Sequence, residues 1–133
     1  MSVAEIIDYP QSLSDWVTTA RSGIPRRVLD ELAGLLGVKV ADLAPQLHVS
    51  ARTLNRYGAD KLLPADLSER ILIILRTYER AREVFGDPVK ASAWLKRPNR
   101  VLGGQTPLDL LDTIFGTEQI MNLLGRIEHG VYS

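Results

Sequence analysis

The run Val40-Ala41-Asp42-Leu43-Ala44-Pro45-Gln46-Leu47-His48-Val49-Ser50-Ala51-Arg52-Thr53-Leu54-Asn55-Arg56-Tyr57 decides how this chain is read. Val40, Leu43, Ala44 and Leu47 recur at the three-to-four spacing that gathers apolar side chains on one face of a helix. His48-Val49-Ser50 breaks that stripe, and Ser50 is a good N-cap for a second helix over Ala51 to Tyr57. Leu54 and Tyr57 face inward on this second helix, which leaves Arg52, Asn55 and Arg56 outward. The reading is two short helices with a tight joint. It requires His48 to take a left-handed backbone, and the first helix to start late or kink at Pro45, which has no N–H to give.

Arg and Asn are the side chains that read guanine and adenine edges in the major groove, at about 1–3 kcal/mol of discrimination per good bidentate pair. The pattern Leu43-Ala44-x-x-Leu47-x-Val49-Ser50-x-Arg52-Thr53-Leu54-x-Arg56-Tyr57 resembles a helix-turn-helix of the Xre/Cro type. Arg52, Asn55 and Arg56 are then expected to read bases, with Ser50 and Thr53 on phosphates. A purely structural helical hairpin is the alternative. From Lys39 to Lys61 the cations Lys39, Arg52, Arg56 and Lys61 face Asp42 and Asp60. So small a surplus releases few counterions, and dimerisation would have to strengthen binding.

Upstream, Pro25 sits at a first helical position, and Val28, Leu29, Leu32, Leu35 and Leu36 form an apolar face that Gly37 closes. Arg26, Arg27, Asp30 and Glu31 are placed on its wet side. A short helix is expected from Ser14, with Trp16, Val17 and Ala20 on one side and Gly23 as its stop; the first dozen residues read as a mobile arm.

Downstream, Asp66 or Ser68 caps a long helix to Phe85, whose buried stripe is Leu67, Ile71, Ile74, Leu75, Tyr78, Ala81 and Phe85. Gly86 ends it, and Asp87-Pro88 starts a shorter one that closes on Trp94 and Leu95. Thr106-Pro107-Leu108-Asp109 opens a helix through Phe115, with Leu108, Leu111, Ile114 and Phe115 inward. Gly116 and Thr117 punctuate, and Glu118 to His129 makes the last helix, with Ile120, Leu123, Leu124 and Ile127 apolar. The fold class is therefore all-α: a central helix-turn-helix followed by a small helical region. The expected divisions are 1–23 (arm and short helix), 24–66 (DNA-binding) and 67–133 (C-terminal).

Between those helices lies Trp94 to Asp109, a stretch with three cations, two prolines and a glycine pair. Ordering such a loop loses roughly 1–2 kcal/mol of conformational entropy per residue, so an ordered one is usually there to bind something. Trp94 is expected to anchor it in the core, and Lys96, Arg97 and Arg100 to form its working middle.

At 133 residues and 45% apolar content the chain fits one domain or two very small ones. No apolar run nears the roughly 18 residues that span a bilayer, so no membrane partner is expected. With no signal-type leader either, the expected location is the cytoplasm. The chain has no cysteine, and His48 and His129 are its only histidines, a poor ligand set for zinc. Acidic and basic residues balance at 16 each, so no global field draws the chain to nucleic acid.

Catalytic groups do not assemble. Asp109 has a helix-start role, Asp112 reads as solvated, and Glu128 beside His129 is no dyad, because adjacent helical residues point apart. Gly103-Gly104 lacks the spacing of a phosphate-binding loop. No enzyme, cofactor or small-molecule substrate is expected.

The C-terminal text is more specific. It runs Ala81-Arg82-Glu83-Val84-Phe85-Gly86-Asp87, Ala93-Trp94-Leu95, Arg97-Pro98-Asn99, Leu102-Gly103-Gly104, Thr106-Pro107-Leu108-Asp109-Leu110-Leu111 and Leu124-Gly125-Arg126-Ile127-Glu128-His129-Gly130-Val131-Tyr132. Together with the middle segment it resembles the antitoxins of RES–Xre toxin–antitoxin pairs, with a toxin-binding region of the Xre/MbcA/ParS type. The resemblance implies a RES-domain toxin that degrades NAD+, silenced by covering its active-site entrance. It also implies a homodimer formed through the C-terminal region, and binding to the protein's own operator DNA. Lys96, Arg97, Asn99, Arg100, Arg126, Tyr132 and Ser133 are then the expected toxin contacts. Tyr132 is equally readable as a latch on the fold or a plug for a partner. A stand-alone Xre-type transcriptional regulator is the competing reading.

Overall fold

Pro25 and Gly37 bracket the helix on which the first half of the chain is built. Pro25 supplies the extended residue before α3 (Arg26–Leu36), and Gly37, left-handed at φ 69°, returns its N–H to the carbonyls of Ala33 and Gly34. Between them Val28, Leu29, Leu32 and Leu36 are fully buried. Leu35, expected beside them, is 38% exposed. It lies about 100° round the helix from Leu36, which is enough to carry it off the buried face.

The computed structural model describes residues 2–130. Among them there is no strand, only a single antiparallel bridge between Pro25 and Leu62. The chain divides into two compact units, the boundary falling after Leu72.

In the first unit, α1 (Val3–Ile6) packs against α3 through buried Val3. Tyr9 meets Trp16 edge to face at 5.6 Å, and Pro10 is buried. The segment expected to be a mobile arm is thus part of the fold; its apolar residues lack a period, but Val3 and Pro10 are buried and Tyr9 packs on Trp16. Ser12 caps α2 (Leu13–Ser22) by accepting from the Asp15 N–H. This helix buries nothing fully, and Val17 is 47% exposed, so no core face forms through Trp16, Val17 and Ala20. A 3-10 turn (Val40–Leu43) leads into α4 (Ala44–Leu47), and α5 (Ala51–Asn55) follows after three residues. Leu43, Leu47 and Leu54 are fully buried with Ile24.

The long helix α6 (Ala65–Phe85) begins at Ala65 rather than at Asp66 or Ser68. Ser68 is not its cap. Its hydroxyl is buried, accepts from the Ile24 N–H at 3.0 Å and donates to the Leu63 carbonyl at 3.2 Å. That pair ties the entry to α3 to the entry to α6.

In the second unit Ile74, Leu75, Tyr78 and Ala81 carry the buried stripe of α6, and Phe85 is half-buried. Asp87 caps α7 (Pro88–Lys96) by accepting from Val89 N–H, with Pro88 at the first position. Two 3-10 turns follow, Arg100–Leu102 and Leu108–Asp112, and then α8 (Ile114–Glu128). The expected helix from Thr106 to Phe115 does not form. Thr106 Oγ1 accepts from Asp109 N–H to start the short turn, and Thr113 then caps α8 by accepting from Gly116 N–H. Gly116 and Thr117, read as punctuation, are buried inside α8. The buried face of α8 runs through them to Ile120, Leu123 and Leu124, and this phase leaves Ile114 and Phe115 62% and 76% exposed.

Candidate DNA-reading helix and partner-binding pocket

Both conditions on the helix joint are met. The first helix starts late: Pro45 lies in the opening turn of α4, where its missing N–H has no intrahelical partner to lose. His48 adopts φ 58° and ψ 32°, the left-handed cap that the turn needs. Ser50 Oγ then accepts from Thr53 N–H at 3.0 Å and donates to Thr53 Oγ1 at 3.0 Å. Leu54 is fully buried, while Ser50, Arg52, Asn55 and Arg56 are exposed and Thr53 is half-buried. All five expected DNA contacts thus stand together on and just beside α5.

With only five residues, α5 is far shorter than the roughly 12–15 at which an isolated helix becomes marginal, so packing and hydrogen bonds from elsewhere must hold it. Arg26 supplies some of them. The sequence places it on the wet face of α3, yet its side chain is only 13% exposed. Its Nη1 donates to the carbonyl of Leu54 at 2.9 Å and to that of Tyr57 at 2.8 Å, and Nη2 pairs with Asp30 at 3.2 Å. Hydrogen bonds from a charged donor contribute about 1.5–3 kcal/mol each, against roughly 1–3 kcal/mol for a buried group left unpaired. Arg26 Nε is such a group, buried without a partner among the described residues. No local pattern announces this residue, because its acceptors lie 28 and 31 positions on. The neighbouring Arg27 behaves as expected, pairing with exposed Asp60 at 2.8 Å, whose hydrogen bond raises the guanidinium pKa.

The second site is in the other unit. Asn99, an expected toxin contact, is buried and organises its own loop. Its Oδ1 accepts from Val101 N–H at 2.9 Å, its N–H donates to Gln105, and its carbonyl accepts from Leu102 and Gly104. Gly103 and Gly104 turn the chain at φ 69° and 86°, where a side chain would be strained. Trp94 is not in the core. It is half-buried, with its ring 5.5 Å from that of Phe85 and tilted by 46°.

The two rings form part of a pocket of about 320 Å³ lined by Phe85, Trp94, Arg97, Pro98, Asn99, Arg100 and Ile127. Its charged lining is wholly cationic. The structure therefore brings Arg97, Asn99 and Arg100 together; Lys96, at the end of α7, and Arg126, near the end of α8, are exposed outside the lining. Tyr132 and Ser133 lie outside the described residues. In sequence Phe85 and Ile127 are the last apolar positions of their stripes, and being last is what opens them to the pocket.

Among the described residues, Lys96, Arg97, Arg100 and Arg126 take part in no ion pair, whereas Arg80 is held by Glu128 at 2.7 Å and Glu83 at 3.3 Å. That hydrogen bond from Arg80 lowers the Glu128 pKa, so Glu128 is committed to Arg80 rather than to its neighbour His129. Among the described residues no group of three or more potential metal ligands occurs and no helix is long and apolar enough to cross a membrane.

Both halves of the chain match known protein families. Residues 80–130 match the antitoxin Xre/MbcA/ParS C-terminal toxin-binding domain, and residues 15–76 match the antitoxin Xre-like helix-turn-helix domain. An Antitoxin Xre from Photorhabdus laumondii is 37% identical over 113 residues, covering 84% of this chain and 76% of the relative. An Antitoxin Xre from Yersinia enterocolitica is 31% identical over 119 residues, 88% of this chain and 80% of the relative. A Prs ADP-ribosylating antitoxin from Sphingobium sp. is 26% identical over 135 residues, 94% of this chain and 85% of the relative.

Proposed function

The chain belongs to the Xre antitoxins, with a toxin-binding domain and a helix-turn-helix, and from that premise we propose that it blocks the active site of a RES-domain toxin that consumes NAD+. The observation that carries this is the pocket rim, where Arg97 and Arg100 stand beside two aromatic rings with no carboxylate among the described residues to neutralise them. A toxin site built for an anionic dinucleotide attracts cations, and guanidinium groups are well shaped to compete for phosphate-binding positions. The relative named for an ADP-ribosylating system supports the same chemistry, because ADP-ribosyl transfer draws on an NAD-type donor. Lys96, Arg126, Tyr132 and Ser133 extend this contact, and Asn99 acts by holding the loop in shape.

The helix-turn-helix reads the operator of the protein's own operon through Arg52, Asn55 and Arg56, with Ser50 and Thr53 on phosphates. Residues 24–66 do the DNA work and residues 67–133 bind toxin and form a homodimer, in the cytoplasm. Ile114 and Phe115, standing in solvent at the start of α8, give that dimer its apolar seam.

Growth of cells expressing the toxin tests the first claim. Arg97→Glu with Arg100→Glu is expected to abolish protection while the purified variant keeps its helical spectrum and its binding to upstream DNA. Full protection by the double variant would remove the pocket rim from the mechanism.

A further inference from the structure

We infer that Arg26 is a positioning residue for DNA reading: from the first turn of α3 it grips the C-terminal end of α5 and fixes the angle at which Arg52, Asn55 and Arg56 are presented. The inference rests on the DNA reading above and adds to it a residue that touches no base.

Three observations carry it. The last carbonyls of a helix have no intrahelical donor, and in a helix of five residues they are a large share of the whole; that of Leu54 also accepts from the Tyr57 N–H at 3.3 Å, beyond the helix. Arg26 Nη1 reaches two carbonyls there, Leu54 and Tyr57, at 2.9 and 2.8 Å, straddling exposed Asn55 and Arg56. A cation at this end also complements the negative pole of the helix.

The grip is itself braced. Asp30, one turn along α3, holds Nη2 at 3.2 Å and so sets the plane of the guanidinium. The backbone N–H of Arg26 donates to the Lys61 carbonyl at 2.9 Å, and that of Arg27 to Ala59 at 2.8 Å, so the base of the side chain is tied to the segment that leaves α5. The planar fork serves both carbonyls from Nη1 and Asp30 from Nη2, whereas a lysine ammonium offers a single nitrogen. With its side chain only 13% exposed, Arg26 is turned into the fold and is unavailable to phosphates.

Operator binding by the full-length chain, measured over a series of salt concentrations, tests this. Arg26→Met is expected to weaken binding about tenfold, as befits the loss of two charge-assisted hydrogen bonds behind the reading helix. Arg26→Lys should recover part of the loss. The slope of log K against log salt should stay at the wild-type value in both, whereas loss of a cation that touches phosphate lowers its magnitude by about one. Amide exchange should quicken at residues 51–57 and not along α3, and toxin neutralisation should be unchanged.

Arg52→Ala in the same assay separates the inference from its premise. If Arg52→Ala weakens binding and neither Arg26 variant does, the positioning role is wrong and DNA reading stands. If the wild type binds no operator, both fall. Should Arg26→Met fail to fold, Asp30→Asn leaves Arg26 in place and releases its brace; unchanged affinity and unchanged exchange at residues 51–57 in Asp30→Asn and Arg26→Lys would overturn the inference.

Discussion

A Cβ at position 116 would run into the carbonyl of Leu110, which is backbone and has no free rotation with which to retreat. Gly116 is there because α8 passes that close to the turn before it, although in sequence a Gly-Thr pair after an apolar run reads as a helix stop. Gly116→Ala is expected to destabilise the fold by about 1–3 kcal/mol, the usual range for overpacking, with a lower Tm in thermal melts. An unchanged Tm would mean that α8 can slide off Leu110 freely. Single residues were the least legible scale. Pro45 and His48 resolved as the local rules allow, a late start and a left-handed cap. Arg26 and Ser68 were out of reach, because their partners lie in distant sequence and only the folded chain brings them together.

Among the elements, the helices with strong punctuation were legible: Pro25 to Gly37, the long helix ending at Gly86, and the Asp87-Pro88 start. The 3-10 turns were not, since three to five residues carry too little of a period to set their phase, and a turn at Leu108–Asp112 in place of a helix leaves Ile114 and Phe115 facing outward. The pocket depends on how the last turn of α8 is held, because Ile127 and Phe85 come from α8 and α6. Arg80 of α6 grips Glu128, the next residue after Ile127, with two hydrogen bonds at 2.7 and 2.9 Å. That contact holds the Glu128 carboxyl below its usual range. A depressed carboxyl stabilises the fold fully above its unfolded pKa of about 4.3 and loses that contribution as pH falls through the folded value. Acidifying the wild type should therefore lower its Tm more steeply below about pH 4.3 than it lowers that of Glu128→Gln. Superimposable acid profiles would show that this exposed pair adds nothing to stability.

On the scale of the whole molecule the difficulty is electrostatic. Sixteen acidic residues balance sixteen basic ones, and the helix-turn-helix segment holds four cations against two carboxylates, so one copy neutralises few phosphates. In the proposed homodimer two copies would double that number and engage half-sites about 34 Å apart or a multiple of it. Phe115 is the residue on which we place this pairing, since a ring 76% exposed at the head of α8 gains most by being covered. Phe115 lies apart from the packed face of α8, so Phe115→Asp should leave the melt nearly unchanged. In sedimentation it should shift the protein from dimer to monomer, and on operator DNA it should weaken binding and roughly halve the salt slope. A variant that stays dimeric would move the seam elsewhere on the C-terminal unit. A monomeric variant with undiminished affinity would mean that a single copy suffices to hold the operator.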